Sequence, residues 1–542
     1  MTMKKRFLLL CSLLLLILLT ACGNGSEFDP DQETDSTDAA TSDNESESTE
    51  ITSGDEIDPS YTENEPILDF QLSEDGKSYI LSSGQNCNVE ILIIPAEYNG
   101  LPVTEIGEVA FESASIKSVV IPDSVKIIGD FAFSGSSLKS VIIPDSVKVI
   151  GEWAFGGSML ESVTIGSGVT VIGGSAFDSC QFLTSIVIPD SVELIGEGAF
   201  CASALESVTI GAGVKTIAGD AFCGAKLKKV VIPSSVEVID RSAFAGCEQL
   251  EEIVIQDGVK RIEQWAFRGC EKLKTVILPN TLEYMEAETF RESPSIEYNI
   301  YQGMKYLGSQ TNPYFALVGS DGETRLVTHP DTVFYMSRAL YDCENIVSVE
   351  VGPGVKIIGE YALGGMDALE EITVHPDNKY YYAVNNILVE KSTNLPIQGC
   401  KTSVIPSDGS ITEIDLDIFT SIATIKTIHI PKGIKILYMD FQSINGLDAI
   451  IIESDVEHLF IEGNYDGCEA KKEACFTVYH CLTAEQWENV KVEYTFNRNG
   501  IHPVDCYGDY ATHYFYSETK PTEEGNYWHY VDGVPTPWEE AA

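Results

Sequence analysis

Short β-branched runs with apolar residues at alternate positions, such as Val141 and Ile143, recur through the first half of the chain. Each is followed by a turn and by a second apolar cluster, as in Pro144, then Val147, then Ile150-Gly151. Alternation of this kind predicts a strand with one buried face, and the proline stops it. An Ala-Phe pair follows, and the phenylalanine returns every 22 or 23 residues as Phe111, Phe133, Phe155, Phe177, Phe200, Phe222, Phe244, Phe267 and Phe290, with Ala before all but the last. Self-similarity at this period predicts a stacked repeat solenoid, mainly β, rather than a globular enzyme. The phenylalanines are the structural repeat core. A lone coil cannot bury its apolar face, whereas stacked neighbours bury it from both sides, so each ring should be worth roughly 3–5 kcal/mol on truncation to Ala. Gly151 is read as permitting a tight bend.

Where six residues separate the Phe from the next Leu, the third residue past the Phe is Cys180, Cys247 or Cys270. Where five separate them, it is Ala114, Ser136, Ser158, Ser203 or Ala225. The expectation is that the longer turn points this position inward, where a thiol fits, and that the shorter turn does not.

The pattern divides the chain. Residues 66–100 read as an N-terminal cap, needed to cover the first coil, and 101–298 as regular coils. An insertion at 299–335 lacks the repeat. The period resumes over 336–378 with Leu340 and Leu363 in place of Phe. A second insertion occupies 379–408, degenerate coils around Phe419 and Phe441 span 409–466, and 467–542 is an aromatic-rich cap or tail without period.

The N-terminus changes the picture. Lys4, Lys5 and Arg6 precede an apolar stretch from Phe7 to Leu19, too short to span a bilayer and suited to a signal peptide, residues 1–21. Leu19-Thr20-Ala21-Cys22-Gly23 resembles the lipobox of bacterial lipoproteins, which implies acylation of Cys22 and export to the outer face of the bacterial cell membrane. Residues 22–65 are dominated by Asp, Glu, Ser, Thr and Asn, a composition that predicts a disordered acidic tether. The net charge of −49, from 34 basic and 83 acidic residues, argues against nucleic acid and anionic membrane surfaces as partners, leaving the N-terminal lipid as the membrane contact.

The units from Val141-Ile142-Ile143-Pro144 through Ile150-Gly151 to Ala154-Phe155, with Cys247 or Cys270 in the longer form, resemble the BspA-type, or treponemal, leucine-rich repeat family of bacterial surface proteins. The resemblance covers about residues 66 to 460. The segments Tyr516-Ser517-Glu518-Thr519 and Asn526 to Gly533 also resemble an ending of such proteins. Membership implies leucine-rich repeat coils, no catalytic residues, and attachment to host matrix or mucosal proteins or to other microbial surfaces. The coils after Phe290 depart from the family pattern, which puts continuity of the array in question there.

Candidate chemistry is sparse. The fourteen cysteines include Cys180, Cys247, Cys270 and Cys343 at one repeat position, read as buried thiols, although Cys247 and Cys270 lie in adjacent coils and a bridge between them is the alternative. Cys468, Cys475, Cys481 and Cys506 are the better disulfide candidates. Gly166-Ser167-Gly168 and Gly211-Ala212-Gly213 occupy repeat turns and are not read as phosphate loops. None of the eight histidines sits at metal-ligand spacing, and His329-Pro330-Asp331 and His375-Pro376-Asp377 read as turns. Asp123, Asp145, Asp190 and Asp257 form a broken column after the strands, read as solvated turns rather than a calcium site. Neither cofactor nor metal is expected. Tyr527, Trp528, Tyr530 and Trp538 admit two readings: a stacking platform for sugar or protein, or a terminal cap. The first makes a polysaccharide-binding envelope scaffold the alternative to an adhesin.

Overall fold

The computed structural model describes residues 66–85, 87, 89–341, 343–419, 422, 424–440, 447–453, 456–462, 476–481, 490–495, 511–517, 521, 526–531 and 534–538. The signal segment, Cys22, the acidic tether, Phe441, Cys468, Cys475 and Cys506 lie outside them.

Each regular coil contributes two parallel ladders. The long strands, such as Ser140–Ile143 and Ser162–Ile165, pair residue for residue, with Val141 opposite Val163 and Ile143 opposite Ile165. Two-residue strands, such as Val149–Ile150 and Val171–Ile172, form the second ladder, which runs unbroken to Tyr284–Met285. Alternation in the sequence becomes alternation in burial: Val141 and Ile143 are inside and Ile142 is outside.

Between the ladders the Ala-Phe arc fills the interior. From Phe111 to Phe290 consecutive rings stack with centroids 5.2–5.6 Å apart and planes within 16°. Phe133 through Phe267 are fully buried. The arc is built from left-handed residues on either side of Ala-Phe, such as Phe131 (φ 54°), Trp153 (φ 52°) and Asp220 (φ 55°) on one side and Ser179 (φ 54°) and Ala202 (φ 50°) on the other. A left-handed non-glycine residue costs roughly 1–2 kcal/mol. The conformation is held by alternating hydrogen bonds: the amides of Phe131, Phe133 and Gly135 donate to the next coil at 2.7–2.8 Å, while those of Ala132, Ser134 and Ser136 donate within their own.

Two expectations are corrected here. Gly151 is not left-handed and makes no special bend; it is glycine because a Cβ would lie 2.6 Å from the backbone carbon of Gly129 in the coil before. The inward position three past the Phe does not depend on turn length, since Ser136, Ser158, Ser203 and Ala225 of the short turns are buried like Cys180, Cys247 and Cys270. What the long turn adds is reach. Its thiols donate to the carbonyl of a Phe in the preceding coil, at 3.4 Å from Cys180 to Phe155, 3.2 Å from Cys247 to Phe222 and 3.3 Å from Cys270 to Phe244.

The N-terminal cap is a hairpin, Ile67–Leu72 with Tyr79–Gln85, whose second strand pairs with Leu101–Ile106 of the first coil. Gly84 lets it close over Phe111, whose ring would lie 2.3 Å from an added Cβ.

The first insertion does not interrupt the array. Its hairpin, Met304–Ser309 with Ala316–Ser320, accepts the long-strand ladder at Ile277 opposite Gly308 and passes pairing on at Ala316 opposite Phe334. Tyr306, Leu307, Phe315 and Leu317 fill the space that a coil would fill, and one core runs from Leu81 to Cys400. Leu340 and Leu363 take the Phe position fully inside. In the second insertion, Ile387–Glu390 separates two cores: Leu388 faces the first, while Ile387 and Val389 face another that extends to Val478.

Beyond 466 the 22- to 23-residue period is lost, but strand pairing continues at longer spacings. Phe476–His480 and Lys491–Thr495 continue both ladders, Ala511–Tyr516 adds a further strand, and the antiparallel pair Tyr527–Val531 and Val534–Pro537 closes that sheet.

Candidate functional site

In the long-strand segments the residue between the two inward apolar positions, such as Ile93 between Leu92 and Ile94, points away from the core. Ile93, Val120, Ile142, Val187 and Val231 are 53%, 50%, 70%, 63% and 42% exposed, with exposed Thr164 and Thr209 filling the same column in the coils between. Register aligns these residues within each sheet: Ile93 lies opposite Val120, Ile142 opposite Thr164, and Val187 opposite Thr209, with long-strand pairing lapsing between the coils of Thr164 and Val187 and between those of Thr209 and Val231. Parallel sheets normally have both faces covered. Here one face is open and carries β-branched apolar side chains, the kind of patch that marks an interaction surface.

The margins are polar. On the side before the strands, Lys117–Glu90 (2.8 Å), Lys139–Glu161 (2.9 Å) and Lys228–Glu206 (2.6 Å) join neighbouring coils. The lysines hold the Glu90 and Glu206 carboxyls below the usual range, through hydrogen bonding first and charge second. On the other side the aspartate column caps the coils: Asp145 accepts from the amide of Ser167 at 2.6 Å, Asp190 from Ala212 at 2.7 Å and Asp257 from Asn280 at 2.6 Å. These carboxylates are structural stitches. No cluster suited to a metal ion occurs among the described residues.

A smaller apolar column, not singled out in the sequence, lies on the arc. Phe131 and Trp153 stack at 6.3 Å with planes 1° apart, both half-buried, beside exposed Val109. All three are left-handed, in a position that Ser175 and Ser242 occupy in other coils. Bulky residues in that column were the available signal.

The described C-terminal aromatics lie in the closing part of the solenoid. Trp528 is fully buried, its indole donating to the carbonyl of His480 at 2.9 Å. Trp538 is half-buried, stacks on His529 at 3.6 Å and donates to Ser517 at 3.1 Å. Tyr527 is half-buried in the closing strand, and the side chain of Tyr530 lies outside the described residues. Trp528 packs against Tyr479 and Tyr516, which makes it part of the cap's own interior. The histidine turns are as read: the amides of Asp331 and Asp377 donate to Nδ1 of His329 and His375, each at 3.2 Å.

Burial pushes the thiols of Cys180 and Cys270 up to about 11 and about 12 and that of Cys247 well above its ordinary value. Since the thiolate is the reactive form, these inward thiols are inert. A bridge between Cys247 and Cys270 would also break both bonds to Phe carbonyls.

Parallel ladders at a 22- to 23-residue period, with a buried Leu or Phe in each coil and one open strand face, define a leucine-rich-repeat solenoid. The chain belongs to the BspA type leucine rich repeat family, whose model matches residues 104–226, 215–312 and 332–469 in six copies. Among solved structures it is similar to a leucine rich cell surface protein from Faecalibacterium prausnitzii, at 23% identity over 81% of this chain and 98% of that one, with a TM-score of 0.32. It is also similar to a leucine-rich repeat protein from Bacteroides ovatus, at 21% identity over 80% and 98% with a TM-score of 0.37. A third is the T. pallidum leucine rich repeat protein, at 26% identity over 38% and 87% with a TM-score of 0.30. No curated protein matches.

Proposed function

We propose that this chain is an exported surface protein, held to the bacterial membrane by a lipid on Cys22, whose long-strand face binds protein ligands of a host matrix, mucosa or another microbe without catalysis. The observation that carries the reading is the set of exposed apolar residues Ile93, Val120, Ile142, Val187 and Val231 at one outward position of successive long strands. Such residues offer a partner apolar area at little entropic cost, because χ1 of a β-branched side chain is already restricted. The acidic surface would favour partners with basic margins around an apolar ridge.

The test is binding of the full chain to immobilised host matrix, mucosal and microbial surface proteins. Saturable binding is expected, weakened about tenfold or more by Ile142→Glu with Val187→Glu, in line with the loss of central apolar contacts. Binding unchanged in that variant would remove the strand face from the proposal. Labelling with a fatty acid, abolished by Cys22→Ala, checks the anchor.

A further inference from the structure

The Phe arc places two thiols side by side where other coils have unrelated residues. The position just after the Phe is Ser134, Gly156 or Asp178 in earlier coils and Ala245 or Arg268 in later ones, but Cys201 and Cys223 in two consecutive coils. The arcs stack in register there, with the Phe200 amide donating to Ala221 at 2.8 Å and the Ala202 amide to Cys223 at 2.6 Å. Their Cα atoms are therefore one coil apart, about 4.8 Å, inside the roughly 4.4–6.8 Å span that a disulfide bridges. Both are half-buried and reachable from solvent, unlike the fully buried Cys180, Cys247 and Cys270. The two thiols hydrogen-bond to each other, which lowers the pKa of Cys223 and raises that of Cys201.

Their place in the fold gives the pair a role. The long strands that follow them, Ser207–Thr209 and Lys229–Ile232, belong to different sheets, so long-strand pairing lapses between these two coils. There the coils are joined on that side by the Lys228 amide bond to Glu206, at 3.2 Å, and by the exposed Lys228–Glu206 ion pair. An exposed ion pair contributes little.

We propose that Cys201 and Cys223 form an oxidisable pair that closes to an intercoil disulfide, clasping the solenoid at one of the lapses in its long-strand ladder. The oxidant is a disulfide, of a small thiol or of an exported oxidoreductase. The Cys223 thiolate attacks one sulfur of that disulfide and releases a thiolate, forming a mixed disulfide. Cys201 gives up its proton and attacks the Cys223 sulfur, releasing the second thiol. Two protein thiols lose two electrons and two protons, and one oxidant disulfide becomes two thiols. The chemistry rests on the pair's geometry; export bears only on where the oxidant comes from.

The experiment treats the full-length folded chain with glutathione disulfide, blocks remaining thiols and maps unreduced peptides by mass spectrometry. The expected product is a peptide pair joining Cys201 to Cys223, lighter by two hydrogens than the reduced pair, with a higher melting temperature than the reduced chain. Both the cross-link and the melting shift should vanish in Cys201→Ser and in Cys223→Ser, while Cys247→Ser keeps them. Circular dichroism of each variant confirms that the fold survives. Full alkylation of both thiols after oxidation, stable glutathione adducts without closure, or a link from Cys223 to Cys180 instead would overturn the proposal.

Discussion

The coils before the first insertion and those after it solve one packing problem with different side chains. From Phe111 to Phe290 a single aromatic column fills the arc, each ring stacked on the next with nearly parallel planes. Beyond it, Leu340 and Leu363 fill the same place, fully buried but without a ring to stack. In the first region the column fixes the spacing of the coils rather than their length, because rings 22 residues apart (Phe155 and Phe177) and 23 apart (Phe177 and Phe200) both stack at 5.3 Å. Beyond the column the coils carry an aliphatic side chain instead, and it is around them that one hairpin enters the solenoid without opening its core and a second divides that core from the next. The difference teaches that hydrogen-bond ladders, rather than the Phe column, carry continuity past residue 290.

The sharpest way to break this comparison is truncation. Phe200→Ala is expected to cost about 3–5 kcal/mol in denaturant unfolding. Leu340→Ala should cost less by roughly 1–3 kcal/mol, since Phe200 also loses two ring pairs worth about 0.5–1.5 kcal/mol each. Equal costs would mean that stacking adds nothing beyond burial.

A smaller and equal loss is expected from a feature both regions share. Gly151 and Gly359 precede the arc in an early and a late coil, and a Cβ would lie 2.6 Å from the carbon of Gly129 and 2.4 Å from the nitrogen of Ser337. Each glycine to alanine change should cost about 1–3 kcal/mol through overpacking, measured by thermal melting. A harmless Gly359→Ala would show that the later coils are looser than their ladders imply.

The smallest effect concerns the ion pairs along the early coils. Glu90, Glu206 and Glu237 are held below the usual carboxylate range by Lys117, Lys228 and Lys260. A depressed folded-state pKa stabilises above the unfolded value, about 4.3 for Glu, and that contribution disappears as pH falls through the folded value. A slight fall in melting temperature below about pH 5 is expected from these exposed pairs, weakened by high salt.

Much of the architecture was legible because stacking imposes a period on the chain. Val141, Ile143 and Phe155 announce strand and arc by spacing alone. The first left-handed position of each coil was not legible, since Phe131, Trp153, Ser175 and Asp220 share a backbone conformation and no chemistry, whereas the second is glycine in coils such as those of Gly135, Gly157 and Gly224. Alternation already put Ile142 on the outer face of its strand, but whether Trp528 was exposed or part of a cap could not be read from its aromatic neighbours.

What the amino-acid sequence determined by itself was the coil, its length, its interior residues and its family, because each depends on side chains repeated at fixed intervals. What only the tertiary structure decided was which identical-looking residues meet. Register between coils placed Ile142 opposite Thr164 and Cys201 against Cys223, and strand pairing carried the solenoid through its insertions. Those contacts join residues more than twenty positions apart, and local pattern holds no record of them until the coils are stacked.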